Sequence, residues 1–154
     1  MIRTCLYAGF CALALGASGV AAAEVLAGPD ALKWQPAPPA LKGAEMAVVA
    51  GNPMKSGPFV VRLKLPANYK VPAHHHMRAE NITVLSGDFH FGVGNTPDTA
   101  KASTLQAGGF VEAPAKMNHF AWTEGGAVLQ IHGQGPFGLV LVDAAGKAGK
   151  PAAK

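Results

Sequence analysis

The chain has 154 residues, of which 49% are hydrophobic and 14% are charged, and its net charge at pH 7 is +4 with the histidines neutral. This length is typical of one ordinary domain. The basic side chains are scattered and form no stripe interleaved with aromatic residues. The sequence therefore gives no support for nucleic-acid binding.

The first 23 residues have the order of charge and hydropathy that is typical of a secretory signal peptide. Arg3 gives a positive start, residues 6–20 are apolar or small, and three alanines precede Glu24. The apolar run is too short and too rich in glycine and alanine for a good membrane span, although an uncleaved N-terminal anchor is the alternative. We expect a periplasmic or secreted protein that is not inserted in a membrane after cleavage.

Both cysteines, Cys5 and Cys11, lie within this predicted signal peptide. The mature chain would then contain no cysteine, which excludes disulfides and sulfur ligands to a metal. Its stability would come from a hydrophobic core, for which the remaining length is sufficient.

Two segments of biased composition flank the predicted domain, which we assign to residues 44–143. Residues 24–43 are rich in proline and alanine and predict an extended arm, anchored by Trp34 and Leu41, that lies across the domain or a neighbouring subunit. Residues 144–154 hold lysines and no apolar residue larger than alanine. Such a composition is typical of a flexible tail.

Alternation of apolar and polar residues predicts that the domain is built from β-strands. The clearest run places Phe59, Val61, Leu63 and Leu65 on one face of a strand. Further strands are predicted at residues 45–50, 81–85, 89–93, 110–113, 119–123, 127–132 and 137–142, with turns at 66–72 and 86–88 and a loop at 94–107. Many short strands at regular spacing indicate an all-β sandwich or barrel.

A histidine-rich segment follows the second predicted strand. His74 and His76 share one face of an extended strand, while His75 points away. Glu80 lies a further even number of residues along the chain, and His119 would arrive from another strand. Three imidazoles and one carboxylate suit Fe(II), Mn(II), Ni(II), Zn(II) or Cu(II). The sequence therefore predicts a site for a divalent transition metal.

These residues also carry a resemblance to the cupin superfamily. Its two motifs read G(X)5HXH(X)3-4E(X)6G and G(X)5PXG(X)2H(X)3N. The matching residues are His74, His76, Glu80, Gly87, Gly108, Pro114 and His119. The resemblance implies a double-sheet jelly-roll barrel with His74, His76, Glu80 and His119 as the metal ligands.

Three positions depart from the cupin motifs. Asn68 and Lys116 stand where the family has glycine, and Thr123 stands where it has asparagine. None of these positions is a metal ligand in the family, so the departures bear on loop geometry. Asparagine can adopt the left-handed backbone that such a turn needs.

No catalytic residue is assigned from the sequence. Two alternatives remain for His90, Gln130 and His132. They face the barrel interior and act as an acid, a base or a substrate contact, or they are hydrogen-bonded at the barrel rim. We favour the second alternative for the two histidines. The candidates for an apolar pocket around the metal are Phe110, Met117, Phe120 and Trp122, although core packing explains them equally well. The candidates for substrate contacts at the mouth are Tyr69 and Arg78.

The resemblance implies a metal-dependent enzyme that acts on a small molecule. Four protein ligands leave two positions of an octahedral ion for a bidentate substrate, or for substrate and dioxygen, which favours a dioxygenase-like oxidoreductase. Cupins also include isomerases, lyases and decarboxylases, and the fold does not decide among them. The alternative is a non-catalytic small-ligand-binding cupin whose metal is structural or captures the ligand. Cupins often pair through exposed sheets, which favours a homodimer.

Overall fold

The computed structural model describes residues 28–149, so the predicted signal peptide and the last five residues lie outside it. Within this range the secondary structure is β, apart from short 3-10 helices at Pro29–Ala31, Pro39–Leu41 and Thr99–Lys101. The strands are β1 Gln35–Pro36, β2 Glu45–Gly51, β3 Gly57–Leu65, β4 Lys70–His76, β5 Glu80–Val93, β6 Ser103–Gln106, β7 Phe110–Ala113, β8 His119–Trp122, β9 Ala127–Gly135 and β10 Leu139–Leu141. None of the helices described here has the length and apolar character required to cross a bilayer.

The strands form a double-sheet jelly roll in which every ladder is antiparallel. Along the main path the order is β1-β2-β3-β9-β5-β8-β4-β10, and β6 and β7 also pair with β5. The predicted alternation in β3 is confirmed, because Phe59, Val61, Leu63 and Leu65 are all buried. These inward faces make one core, and the all-β jelly-roll prediction is confirmed.

Strand β5 runs from Glu80 to Val93 without reversing, so the tight turn predicted at residues 86–88 is wrong. Its first half pairs with β7 and β9, and its second half pairs with β6 and β8. Gly87 has φ +82, and a Cβ there would meet the Gly126 carbonyl oxygen at 1.9 Å. The glycine therefore permits a bend inside one strand, rather than a hairpin turn.

The predicted turn at residues 66–72 and the predicted loop at 94–107 both contain strand residues. β4 already begins at Lys70, and β6 pairs with β5 through partners such as Phe89 and Leu105. Leu105 packs against the core. A four-residue strand with one apolar side chain carries too weak an alternation to be recognised from sequence.

The proline-rich arm packs on its own domain. Strand β1 pairs with β2, and the Ala37 N–H donates to the Ala44 carbonyl at 2.9 Å. Leu41 packs against the core, and the Lys64 ammonium lies 5.2 Å from the centre of the Trp34 ring. The described part of the arm, residues 28–43, therefore lies across its own domain, which is one of the two predicted placements.

Candidate metal centre

Three strands bring the four predicted ligands together. His74 and His76 lie in β4, Glu80 is the first residue of β5, and His119 is the first residue of β8. All four residues are buried, and one potential ligand atom from each lies within 4.8 Å of the others. The site therefore combines residues that are adjacent in the chain with one from a neighbouring strand.

Backbone carbonyl groups fix the orientation of all three imidazoles. The Nδ1 atoms of His74, His76 and His119 lie 2.7, 2.8 and 2.9 Å from the carbonyl oxygens of Pro72, Gly138 and Met117 respectively. A carbonyl oxygen only accepts, so each Nδ1 is the donor. In the neutral ring this leaves the Nε2 lone pair free, as a metal ligand requires.

Buried lone pairs converge without a protein partner. The Glu80 carboxylate oxygen lies 3.4 Å from His76 Nε2 and 3.3 Å from His119 Nε2. None of these three atoms has a hydrogen-bond partner. In the neutral rings of His76 and His119 the proton is on Nδ1, so each Nε2 carries a lone pair. The short distances therefore bring these lone pairs close to the carboxylate oxygen, which is also an acceptor. A cation between them would relieve that repulsion, so the residues fit a bound metal ion.

The electrostatic state of the site suits a cation. Burial, with help from His119 and His76, lowers the pKa of His74 to about 3. Burial also lowers the pKa of His76. Burial favours the neutral carboxyl of Glu80, but contact with His119 and the influence of His76 outweigh it and lower its pKa. At pH 7 His74 and His76 are therefore neutral and Glu80 is ionised.

Two aromatic rings support the ligands, and neither was recognised from the sequence. Phe137 stacks on His76 with ring centroids 4.1 Å apart, and Phe91 lies 5.2 Å from His119. Phe91 lies two residues after Phe89 on one buried face of β5, which is the signal that could have identified it. Phe137 lies in the connection between β9 and β10, where no alternation marks its direction.

The family of the chain follows from its sequence as a whole. The family described as the ChrR cupin-like domain matches residues 22–138. The chain belongs to this cupin family. A comparison with curated protein sequences found no match.

Solved structures share the cupin fold at low sequence identity. A putative acetylacetone dioxygenase from Methylibium petroleiphilum is 20% identical, with a TM-score of 0.65 over 84% of this chain and 88% of that one. An acetylacetone dioxygenase from Acinetobacter johnsonii is 18% identical, with a TM-score of 0.62 over 85% of each chain. An RmlC-like cupin from Shewanella frigidimarina is 17% identical, with a TM-score of 0.59 over 73% and 91%. At such identities the likeness shows the fold alone.

The departures from the cupin motifs preserve the backbone that glycine would adopt. Asn68 has φ +59 and Lys116 has φ +65, and no other non-glycine residue in the described range has positive φ. Thr123 is buried, and its hydroxyl oxygen accepts the Gly126 N–H at 2.9 Å. Both loops therefore keep left-handed turns without glycine, which places the conformational cost mainly on the lysine.

The ligands lie in the wall of a cavity of about 840 Å³ inside the cupin barrel. Its aromatic lining residues are Phe59, Phe89, Phe91 and Phe137. Of the predicted pocket residues, Phe110 is exposed, and Met117, Phe120 and Trp122 do not line this cavity. Of the two alternatives, core packing therefore holds for Met117 and Phe120. Phe120 and Trp122 lie one and three residues after His119 and occupy the opposite face of β8.

The remaining histidines face away from the cavity. His75 contacts the Asn118 side chain at 3.0 Å, as its alternation predicted. His90 stacks on Trp122 at 4.7 Å, and its two ring nitrogens lie 2.9 Å from Thr104 and 3.2 Å from Asp88. His90 is therefore hydrogen-bonded and does not line the cavity, which agrees with the hydrogen-bonding part of the alternative favoured for it.

A second concavity of about 800 Å³ lies on the outer face of the barrel, around β3 and β9. Gln130, His132 and Arg78 line it, and none of the four clustered ligands does. Tyr69 donates to the Lys42 carbonyl at 3.2 Å and lines neither concavity. The four candidate ligands therefore face the internal cavity, and the two mouth candidates, Tyr69 and Arg78, do not.

Proposed function

We propose that this cupin is a metal-dependent, dioxygenase-like oxidoreductase that acts on a small molecule. His74, His76, Glu80 and His119 would hold a divalent transition-metal ion. The observation that carries the proposal is the convergence of three buried, unpartnered lone-pair atoms at the wall of a large internal cavity. A bound ion would supply Lewis-acid chemistry and, where it is redox-active, one-electron chemistry.

The protein itself orients the candidate ligands and sets their protonation state before an ion binds. The carbonyl groups of Pro72, Met117 and Gly138 hold the rings in one tautomer. The ionised Glu80 provides a charge that offsets part of the charge of a cation. The wall around the ligands is otherwise apolar, so a bound molecule that displaces water from it would strengthen the electrostatic contacts inside the cavity.

The lining favours oxidation over proton-transfer chemistry. Among the described residues, the cavity contains no ionisable side chain other than the four candidate ligands. Isomerases, lyases and decarboxylases that depend on a positioned acid or base would have to use Glu80 for that role. A reaction driven by dioxygen has no such requirement. The names of two structural neighbours, both acetylacetone dioxygenases, support this class by analogy of fold only.

The same lining also favours a second candidate, a non-catalytic cupin that captures a ligand on its metal. A site without a separate acid or base is sufficient for binding. A purely structural metal is less well supported, because the clustered ligands lie in the wall of a cavity of about 840 Å³ instead of a closed packed site.

Elemental analysis followed by oxygen-electrode measurements tests the proposal. The protein is purified, its metal content is measured, and dioxygen consumption is followed with pentane-2,4-dione as the probe. Stoichiometric metal with consumption supports the enzyme, and metal with binding but no consumption supports ligand capture. If folded protein takes up no metal on reconstitution, both candidate functions are contradicted.

We also propose that the protein is exported to the periplasm or secreted. The support is the charge and hydropathy order of the first 23 residues, which end in three alanines before Glu24. Mass spectrometry of protein produced with its full sequence should find an N-terminus at Glu24. An intact Met1 would contradict export by a cleaved signal peptide.

A further inference from the structure

We infer that the cavity takes a molecule with one compact oxygen-bearing head and a bulky hydrocarbon body, and that arm residues 38–41 form part of the wall that contacts this body. The inference rests on the proposed metal site. The oxygens of the head lose their hydrogen bonds to water in the cavity, and a bound cation would compensate for that loss. The arguments are the chemistry of the lining, the size of the cavity and the placement of the arm.

The lining gives a substrate only one polar anchor. In the part of the chain that the structure describes, all lining residues besides the four candidate ligands have apolar side chains or, at Gly138, none. The Gly138 carbonyl already accepts the His76 Nδ1–H. A sugar, an amino acid or a phosphate would bury several polar groups without partners, which is unfavourable. The ligand must therefore place its oxygens at the four-residue cluster and expose only hydrocarbon elsewhere.

The volume indicates a bulky ligand. The cavity measures about 840 Å³, in the upper part of the range of about 300–1,000 Å³ found for drug-sized ligands. A diketone of about five carbons would fill a small part of this space. Each further buried methylene is worth roughly a fourfold gain in affinity when apolar surface leaves water. A longer or aromatic body would therefore bind more tightly than a small one.

The arm supplies one side of this cavity through Pro38, Pro39, Ala40 and Leu41. Its position is fixed by backbone contacts, since the Ala44 N–H donates to the Leu41 carbonyl at 3.0 Å. The two prolines have restricted φ, so this wall loses little freedom when a ligand binds. The arm therefore presents a preorganised apolar surface in the same cavity as the ligand cluster.

The mouth is bordered by flexible apolar side chains. Met54 and Met77 line the same cavity and are 61% and 57% exposed to solvent. Methionine adapts its shape to irregular apolar surfaces better than branched residues do. These side chains can follow the outer end of a hydrocarbon body that extends toward solvent.

Calorimetric titration of the metal-loaded protein tests the ligand class, independently of turnover. The probes are pentane-2,4-dione, 1-phenylbutane-1,3-dione and 1,3-diphenylpropane-1,3-dione, which share one head and differ in body size. We expect the affinity to rise at least tenfold from the first probe to the third. A flat or reversed order, or no binding of any probe to protein with measured stoichiometric metal, overturns the inference. Protein that takes up no metal instead overturns the proposed function, and elemental analysis separates the two failures.

Variants of the arm test the wall. Ala40→Leu should narrow the cavity and weaken the diphenyl probe about tenfold, while pentane-2,4-dione and metal content stay unchanged. Leu41→Ala should weaken the phenyl-bearing probes about five- to tenfold by removing a contact surface. Leu85→Ala, which is exposed and does not line the cavity, is the matched control. Equal effects on small and large probes, or no effect of either arm variant in folded protein, overturn the assignment of the wall.

Discussion

His76 and Phe137 lie face to face, with ring centroids 4.1 Å apart and ring planes inclined by 12°. The next residue, Gly138, accepts the Nδ1–H of His76 at 2.8 Å. One short connection between β9 and β10 therefore holds both the face and the edge of a candidate ligand. Loss of such a partner of a metal-binding histidine typically lowers metal affinity by about 10- to 100-fold.

Phe137→Ala should lower metal affinity about tenfold, because His76 would lose the surface that restricts its ring. Competition with a chromogenic chelator measures the change. Phe110→Ala is the matched control, since Phe110 is 53% exposed and lies outside the cavity. Equal losses in the two variants would show that the stacking has no specific effect on the site.

His119→Ala should abolish most metal binding, whereas His75→Ala should leave it nearly unchanged. His119 contributes one of the converging lone pairs, while His75 contacts Asn118 on the other side of the strand. Elemental analysis after reconstitution measures occupancy, and circular dichroism checks that both variants fold. Near-full occupancy in His119→Ala would contradict the predicted ligand set.

The metal-free protein should become less stable as the pH falls from about 6.5 toward about 3. The pKa of His74 is about 3 in the folded chain and 6.5 in a model peptide, so the unfolded chain binds more protons in this window. The contribution is fully present above pH 6.5 and is lost on acidification, at up to about 1.4 kcal/mol per pH unit.

Urea unfolding of chelator-treated protein at pH 4.5, 5.5, 6.5 and 7.5 measures this slope. His74→Gln should flatten it. A slope that survives His74→Gln unchanged would assign the pH dependence to other groups.

Lys116→Gly should stabilise the protein by up to about 1 kcal/mol, and Asn68→Gly by less. Both residues have positive φ, which is unfavourable for lysine and tolerated by asparagine. Glycine relieves this strain but adds freedom to the unfolded chain, which offsets part of the gain. Chemical unfolding compares the variants. A larger gain at Asn68 than at Lys116 would contradict the strain argument.

The local parts of the fold and site were predictable because they depend on alternation. The buried face of β3 and the opposite directions of His75 and His76 follow from a two-residue period. Applied strictly to β8, the same period would also have placed Phe120 and Trp122 on the face opposite His119.

The features that depend on distant pairing were not predictable. A glycine between Ser86 and Asp88 is equally compatible with a turn and with a bent strand, and only the pairing of β5 with four other strands distinguishes them. The arm has no periodic pattern, so its part in the cavity wall depends on the pairing of β1 with β2. Phe137 was predicted to begin a strand over residues 137–142, but β10 begins only at Leu139, so strand phase does not give the direction of the Phe137 side chain.

The carbonyl contacts of the imidazoles have a consequence for proton exchange with solvent. His74 and His76 are already neutral at pH 7, each with its proton on Nδ1, and Glu80 is already ionised. An ion that binds these three residues has no proton to displace from them. The apparent enthalpy of metal uptake should therefore contain little contribution from these residues when calorimetry is repeated in buffers of different ionisation enthalpy.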